Sequence, residues 1–349
     1  MKSGNKFPHS IGVNILFLRR QQLGGIATYS DALAGALAEH GCTVKIEDAE
    51  KWMPNETGPK PDSKVTPHLV KLAKDFDIVH AFGYRPAWAC GVAFKSYSAW
   101  FYTAYDIPKT THEMLIDKLN EAQAGICASR AVYRALDEAI AIDLVLERPG
   151  IASLSQPIKT RAEAKRSLGV PESAVLIAGL GRLVPERGFD ALLRAMDAVW
   201  QDVPEAHLRI GGVGPESGAL AELAKGLSKA GHVGLSGRAA DAREFLSAAD
   251  LVVIPSRRAG MSMVGLEAMS LGLPVLLRNT GGLPELIDPD ISGMLFETDE
   301  SLGSTIVELL GLPLTLETLG NAARIRAEEH FSLAEHAGSI ARLYKAVLE

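Results

Sequence analysis

The chain has 349 residues, of which 47% are hydrophobic, and a formal net charge of −6 with a sequence pI of about 5.9. This length is enough for two domains with separate cores, and the acidic balance argues against a nucleic-acid-binding surface. The three cysteines, Cys42, Cys90 and Cys127, include no Cys-x-x-Cys pair, which is typical of a reduced cytosolic protein without a cysteine metal site.

The chain is expected to begin with a loose polar tail and a βαβ unit. The first ten residues contain no signal-peptide core, and no apolar run reaches the ~18 residues of a membrane-spanning helix. An apolar strand at residues 11–18 leads to a loop that ends in Gly24 and Gly25. The helix after this loop repeats apolar residues at helical spacing, and a second strand follows at residues 43–46. We therefore expect a cytoplasmic α/β protein.

An Asp-Phe-Asp triplet, at residues 75–77, stands at the start of the next predicted strand, which spans residues 77–83. Asp75 and Asp77 lead into this strand rather than end it, so we expect solvated carboxylates and no metal site. His80 lies inside the strand. It is either a packed core histidine, which is the interpretation we favour, or a polar group in the wall of a ligand site.

Three further strands complete the first half of the chain. Residues 99–104 form a strand that ends at Tyr105 and Asp106, and the last strand of this half ends near residue 151. The polar segment 153–161 contains a proline, which is typical of an interdomain linker.

A basic loop opens the second half. A strand at residues 175–179 is followed by two glycines that enclose Arg182 and Arg187. Arginines in a loop are usually solvated, but at a glycine-framed turn between a strand and a helix they are suited to bind phosphates. Further on, Gly212 and Gly214 lack the third glycine of a dinucleotide fingerprint, so a nicotinamide cofactor is not expected.

The most informative stretch is residues 251–287. An apolar strand leads through a turn to Gly260 and then to a helix at residues 263–271 that is apolar on nearly all sides, which indicates burial. One charge, Glu267, lies in this helix, and a buried carboxylate is costly unless something hydrogen-bonds it. A glycine loop, a helix N-terminus and a lone carboxylate therefore meet at the carboxyl end of a strand, where ligands bind in open α/β sheets.

Nearly the whole chain resembles the retaining glycosyltransferases of family GT4, and the likeness is most specific over residues 179–295. The matching positions are Arg182, Pro255, Ser256, Gly260, Glu267, Ala268, Met269, Gly272, Pro274, Val275, Gly281, Gly282 and Glu285. Arg187 replaces a family Lys and keeps its charge. Ala259 stands eight positions before Glu267, where the family has a first Glu, and Tyr105 stands where many members have a His.

The resemblance implies the GT-B fold, in which two Rossmann-like, doubly wound α/β domains face a cleft. The acceptor-binding domain would comprise residues 1–153 together with a C-terminal helix at about 331–349 that crosses back to it. The nucleotide-sugar-binding domain would comprise residues 154–330.

The resemblance also implies transfer of a sugar from a nucleoside-diphosphate sugar to a saccharide, lipid-linked or small-molecule acceptor, with retention at the anomeric carbon. No metal, cofactor or nucleic-acid partner is expected, and peripheral contact with a membrane is compatible with the sequence. The implied catalytic residues are Arg182, Arg187, Tyr105 and Asp106. The implied donor-binding residues are Gly24, Gly25, Gly212, Arg238, Gly260, Met261, Ser262, Met263, Val264 and Glu267.

The alternative is a non-catalytic accessory subunit that binds a nucleotide sugar. Ala259 and Tyr105 fall at positions that the family uses around the sugar. Arg182, Arg187 and Glu267, which would hold the nucleotide, are nevertheless present. The sequence leaves the sugar, the nucleobase and the acceptor open.

Overall fold

A computed structural model describes residues 12–20, 24–49, 65–94, 99–108, 113–153, 159–239 and 241–349. Strands and helices alternate through its first half. They are β1 Val13–Arg19, α1 Gly25–Ala38, β2 Cys42–Asp48, α2 Val65–Ala73, β3 Ile78–Phe82, α3 Tyr84–Ala93, β4 Ala99–Ala104, α4 Glu113–Leu119, β5 Ala124–Cys127, α5 Arg130–Asp137 and β6 Leu144–Leu146.

The same alternation continues in the second half, and the chain then ends in helices. The elements are α6 Arg161–Ser167, β7 Leu176–Leu180, α7 Phe189–Asp202, β8 His207–Gly211, α8 Ser217–Lys225, β9 Val233–Leu235, α9 Ala242–Leu246, β10 Leu251–Ile254, α10 Met263–Ser270, β11 Val275–Arg278, β12 Met294–Phe296, α11 Asp299–Leu310, α12 Pro313–His330 and α13 Leu333–Leu348.

Two parallel six-stranded sheets organise the described residues. Their strand orders are β2-β1-β3-β4-β5-β6 and β12-β11-β10-β7-β8-β9. In the first sheet Ile15 is paired with Val44 on one side and with Ile78 on the other. The central strands are apolar because helices cover both faces of a parallel sheet. The predicted pair of doubly wound α/β units is confirmed.

In each sheet, strands are added on both sides of the strand that comes first in the sequence, so the strand order reverses beside it. β1 lies between β2 and β3, and β7 lies between β8 and β10. Ligands of open α/β sheets bind outside the carboxyl ends of the strands at such a switch point. The loops that leave β1, β7 and β10 contain Gly24, Arg182 and Gly260, so the topology places these predicted site residues at the two switch points.

The C-terminal helix returns to the first sheet, as predicted. Its His336 Nε2 is 2.5 Å from the hydroxyl of Tyr29 on α1, and its Tyr344 hydroxyl is 2.5 Å from Nδ1 of His80 on β3. An isolated parallel bridge between Ile151 and Ser332 begins this return. Polar pairs inside an otherwise apolar contact fix the register of the helix, because each would leave a buried group unsatisfied if it were lost.

His80 is a core residue, as favoured from the sequence. Its ring is fully buried between the hydroxyls of Tyr344 and Thr103, the latter at 2.6 Å from Nε2. Burial, with a smaller contribution from His336, lowers the pKa of His80 to about 3. Its neighbour Asp77 accepts a hydrogen bond from the backbone N–H of Asn14 at the exposed start of the strand.

Several expectations fall partly or wholly outside the described residues. The polar tail does, and so do residues 154–158 of the expected linker, so the boundary between domains at residue 153 stays a prediction. Within the described ranges, no group of three or more His, Cys, Asp and Glu side chains could hold a metal ion. In those ranges no single helix is long and apolar enough to cross a membrane. The helix pair Asp299–Leu310 and Leu314–His330, bent by 101°, reaches that length and composition only when taken together.

Candidate functional site

The carboxyl edges of the two sheets face each other across a cleft. The Gly260 loop, which follows β10, touches the backbone after β4. A Cβ added at Gly260 would lie 2.2 Å from the carbonyl oxygen of Tyr105. Similarly, a Cβ added at Gly282, which follows β11, would lie 2.6 Å from Oγ of Ser129, which follows β5. These approaches leave no room for side chains, so glycine is needed at both positions.

The basic loop lies at the carboxyl end of β7. Gly188 ends it with a φ of 67°, and a Cβ there would lie 2.2 Å from the carbonyl oxygen of Pro255. The loop is therefore fixed against the end of β10. Arg182 is exposed and has no ion pair within the described part of the chain, whereas the guanidinium of Arg187 lies 3.6 Å from Oδ2 of Asp106. The loop thus presents two arginines to the cleft from a rigid base.

The N-terminus of α10 lies beside this loop. Ser262 caps the helix, because its side chain accepts a hydrogen bond from the backbone N–H of Gly265 at 3.1 Å. The backbone N–H groups of Met263 and Val264 have no partner inside the helix, as is general for a first turn. Together with the helix dipole, they favour an anion at this end.

The start of α1 approaches the start of α10. A Cβ added at Gly25 would lie 2.9 Å from Cβ of Met263. Gly24 precedes it with a φ of 105°, which favours glycine. The side chains of Met261, Ser262 and Met263 are buried at this junction. The structure therefore brings together the predicted donor-binding residues of the first sheet and those of α10.

Glu267 lies in the second turn of α10 with 4% of its surface exposed. Among the described residues, which exclude position 240, no hydrogen bond reaches its carboxylate. Burial, and then the carboxylate of Asp241, raise the pKa of Glu267 to about 7, although the guanidinium of Arg243 opposes this. The structure therefore provides a buried acceptor whose lone pairs are unfilled.

The loops after β8 and β9 complete this side of the cleft. Gly212 has a φ of 142°, its N–H donates to the carbonyl of Gly237 at 2.6 Å, and a Cβ there would lie 1.8 Å from the carbonyl oxygen of Gly181. Arg238 follows as an exposed side chain without a partner in the described ranges. Gly212 thus holds together the loops that carry Arg182 and Arg238.

The side chains of Tyr105 and Asp106 point in opposite directions from the backbone. The Tyr105 hydroxyl is buried beside the side chains of Tyr29 and Thr103, and its ring packs 5.6 Å from the ring of Tyr29 and 6.4 Å from that of Phe82. Burial raises the pKa of Tyr105 well above its ordinary value. Asp106 instead reaches the cleft with 41% of its side chain exposed. The catalytic role that the resemblance implies for Tyr105 would require its side chain to move into the cleft.

Glu285 has a position that sequence reasoning missed. Its carboxylate accepts hydrogen bonds from the backbone N–H groups of Arg130 and Ala131, both at 3.1 Å, and from the guanidinium of Arg148 at 3.0 Å. In the sequence it is only the last position of a glycine motif that begins at Gly281. The isolated acidic residue after two glycines was the available signal, but its partners lie in the other half of the chain.

Comparison with known proteins identifies the second half. Residues 160–326 match the family described as Glycosyl transferases group 1. This match covers 167 of the 349 residues, just under half of the chain. The segment contains the arginine loop, α10 and Glu267, so the family match coincides with one wall of the cleft.

Two curated relatives share this similarity. The chain is 32% identical over 183 residues to the GDP-mannose-dependent monoacylated alpha-(1-6)-phosphatidylinositol monomannoside mannosyltransferase of Corynebacterium glutamicum, over 49% of this chain and 47% of that protein. It is 31% identical over 215 residues to the D-inositol 3-phosphate glycosyltransferase of Segniliparus rotundus, over 59% of this chain and 46% of that protein. The chain thus spans about half the length of the curated relatives it matches.

The similarity in three dimensions extends over almost the whole chain. The structure of Anabaena HepE in complex with UDP-glucose superposes with a TM-score of 0.82, covering 96% of this chain and 100% of HepE at 20% sequence identity. At this identity the likeness shows the fold alone. The fold is GT-B, as the sequence resemblance implied.

Proposed function

We propose that the protein transfers a sugar from a nucleoside-diphosphate sugar to an acceptor, with retention at the anomeric carbon and without a metal ion. The observation that carries this proposal is the convergence of Arg182, Arg187, the N-terminus of α10 and Glu267 at one edge of the second sheet. All four lie in the segment that matches the glycosyltransferase family.

The two arginines and the helix N-terminus suit the leaving group. When the bond between the anomeric carbon and the phosphate oxygen breaks, negative charge develops on the diphosphate. Arg182 and Arg187 would stabilise this charge, together with the backbone N–H groups at the start of α10. A preorganised donor of this kind contributes about 3 kcal/mol in a transition state. Because guanidinium groups already neutralise the charge, the reaction needs no metal.

Glu267 suits the ribose of the donor. An ionised carboxylate only accepts hydrogen bonds, and two neighbouring ribose hydroxyls would supply the donors that the described residues do not. The nucleotide would then lie between α10 and the loops that carry Gly212 and Arg238. The diphosphate would point towards Arg187 and the sugar towards the first sheet.

The first sheet would bind the acceptor. Its Asp106 is the partly exposed carboxylate nearest to the arginine loop among the residues assigned to the site. The printed names of the relatives include a GDP-mannose donor and an inositol phosphate acceptor, and HepE was solved with UDP-glucose. We propose a nucleoside-diphosphate hexose as donor and a saccharide, lipid-linked or small-molecule acceptor.

A non-catalytic nucleotide-sugar-binding subunit is the second candidate. Two observations favour it: the Tyr105 hydroxyl is turned into the core, and Ala259 supplies no carboxylate at the position where the family has its first Glu. The binding groups of the second sheet would serve either function. Turnover decides between the two.

The experiment measures release of nucleoside diphosphate from a panel of UDP-, GDP- and ADP-sugars in EDTA, with cell extract as acceptor source. We expect release with one preferred donor, its loss in Arg182→Ala, and little change in the control Arg194→Ala, whose exposed side chain pairs with Asp190 on α7. Tight donor binding without turnover would favour the accessory subunit. The anomeric configuration of the product, read by NMR, tests retention.

Calorimetry tests the phosphate site separately from turnover. Arg187→Ala should weaken binding of the preferred nucleoside diphosphate by about 2 kcal/mol, as for a lost charge-assisted hydrogen bond. If neither Arg182→Ala nor Arg187→Ala changes this affinity, the two arginines do not belong to the site.

A further inference from the structure

The carboxylate of Asp106 bridges two groups of the candidate diphosphate site. Its Oδ2 lies 3.6 Å from the guanidinium of Arg187, and its Oδ1 accepts a long hydrogen bond, 3.4 Å, from the backbone N–H of Gly260. Asp106 belongs to the loop after β4 in the first sheet, whereas Arg187 and Gly260 follow β7 and β10 in the second. One carboxylate therefore contacts both the loop that carries Arg187 and the Gly260 loop, which leads into the N-terminus of α10.

Backbone packing fixes where this carboxylate lies. A Cβ added at Gly260 would come within 2.2 Å of the carbonyl oxygen of Tyr105 and 2.8 Å of Cα of Asp106. The two loops are thus in direct backbone contact, with no side chain between them. Asp106 is placed beside the phosphate loops by the fold, and not only by the rotamer of an exposed side chain.

We propose that Asp106 is an internal competitor of the donor diphosphate, in an inference that rests on the proposed function. In the structure its carboxylate occupies an anion position between Arg187 and the Gly260 loop, and a phosphate of the donor takes that position on binding. Carboxylate and phosphate make the same demand on a guanidinium group and on backbone N–H groups. Two anions cannot hold one position, because they repel and share a single set of donors.

This competition has two consequences. The apparent affinity for the diphosphate is lowered by the fraction of molecules in which Asp106 holds Arg187. Donor binding also releases the Asp106 carboxylate from Arg187 and from the Gly260 loop.

The size of the effect follows from the exposure of the pair. The side chains of Arg187 and Asp106 are 22% and 41% exposed, and partly exposed ion pairs shift an equilibrium by at most about fivefold. Asp106→Asn, which keeps the size and removes the charge, should therefore bind the diphosphate about two- to fivefold more tightly than the native chain. The gain should shrink as salt is added, since salt screens exposed charges.

The test is calorimetry at low salt on the full chain, with UDP, GDP and ADP and then with the nucleoside of the one that binds best. Asp106→Asn should gain affinity for the diphosphate but not for the nucleoside, which has no phosphate. Glu297→Gln is the matched control. Glu297 is an exposed carboxylate after β12, it is bonded to Asn279, and its loss changes the net charge equally. In an Arg187→Ala background the gain from Asp106→Asn should disappear.

Several results would overturn the inference. Unchanged or weaker diphosphate binding by Asp106→Asn would do so, and so would an equal gain in Glu297→Gln, which would assign the effect to net charge. A gain for the nucleoside as well would show a general opening of the cleft instead. If neither the native chain nor any variant binds a diphosphate, the proposed function fails and this inference fails with it. Diphosphate binding that Asp106→Asn does not tighten contradicts the inference alone.

Discussion

Glu285 accepts a hydrogen bond of 3.1 Å from the backbone N–H of Ala131, although the two residues lie in different halves of the chain. Ala131 lies in the first turn of α5, where backbone N–H groups lack helical partners and an anion is favoured. Arg148 adds a guanidinium at 3.0 Å from the same carboxylate. Glu285 therefore connects the second half of the chain to a helix terminus of the first, at the edge of the candidate site.

Replacing Glu285 should weaken the contact between the two halves. In Glu285→Ala, α5 loses an anion and Arg148 loses its partner. Because hydrogen bonds to charged groups contribute about 1.5–3 kcal/mol each, we expect faster amide hydrogen exchange across residues 129–137 and a lower melting temperature. Glu297→Ala removes an exposed carboxylate that bonds only Asn279 among the described residues and should change neither. If amide hydrogen exchange in Glu285→Ala is as slow as in the unsubstituted chain, the contact does not form in solution.

The docking of the C-terminal helix should depend on the hydroxyl of Tyr344. In Tyr344→Phe, Nδ1 of the buried His80 loses its partner, and an unsatisfied buried polar group costs about 1–3 kcal/mol. Tyr102→Phe is a matched control, because the Tyr102 hydroxyl is also buried but has no hydrogen-bond partner within the described ranges. Urea unfolding should show a loss in the first variant and almost none in the second. Equal losses would refute the hydrogen bond as the cause.

Much of the fold could be predicted because apolar runs report burial directly. The run Leu251–Ile254 is a strand, and the apolar helix after Gly260 is α10, ending within one residue of its predicted end. The inward orientation of the Tyr105 side chain could also have been predicted, because side chains alternate between the two faces of a strand. Tyr105 continues the alternation of Phe101 and Thr103, the face that packs on His80 and Tyr344. The family resemblance instead predicts a position at the cleft, because Tyr105 stands where many members have a His.

Contacts between distant loops could not be predicted in the same way. Asp106 meets Arg187, and Glu285 meets Ala131, only because the two halves of the chain pack with the carboxyl edges of their sheets towards each other. No local spacing or periodicity in the sequence encodes either pair. The sequence could therefore identify the groups that would hold a donor, but not that the carboxylate of Asp106 lies among them.

Glu267 should make nucleotide binding depend on pH. Its pKa in the folded, donor-free chain is raised to about 7 by burial, and only the ionised form can accept hydrogen bonds from two ribose hydroxyls. Affinity for the ribonucleotide should therefore rise from pH 6 to pH 8, with proton release on binding near neutral pH. Glu267→Gln should remove this pH dependence and lower the affinity for the ribonucleotide. The affinity for the 2′-deoxy form should change little. Equal losses for both nucleotides would assign Glu267 to the fold alone.

The same raised pKa predicts an effect on stability. Because the folded state holds the proton of Glu267 more tightly than the unfolded state, stability should fall as pH rises from about 4.5 through 7. A pKa difference of this size corresponds to about 3 kcal/mol. Urea unfolding of the native chain and of Glu267→Gln at pH 5 and pH 8 measures it. The variant should be relatively more stable at pH 8, and the opposite order would contradict an ionised, buried carboxylate.

A substitution at Ala259 tests whether the carboxylate that the family has at this position can be restored. Its side chain is fully buried, its carbonyl accepts from the N–H of Gly282 at 3.0 Å, and a Cβ added at Gly281 would lie 1.9 Å from that carbonyl oxygen. Because the Ala259 side chain is fully buried, a larger side chain must displace its neighbours, and overpacking of this kind costs about 1–3 kcal/mol. Ala259→Glu should therefore lower the melting temperature and should not raise turnover.

Comparison with Ala259→Gln, which has nearly the same size, separates the effect of side-chain volume from that of charge. If charge contributes, the Glu variant should be the less stable of the two at pH 8 and should approach the Gln variant at pH 5, where a buried carboxyl is protonated. An Ala259→Glu variant that stays as stable as the native chain and turns over donor faster would show that the position is an open part of the sugar site.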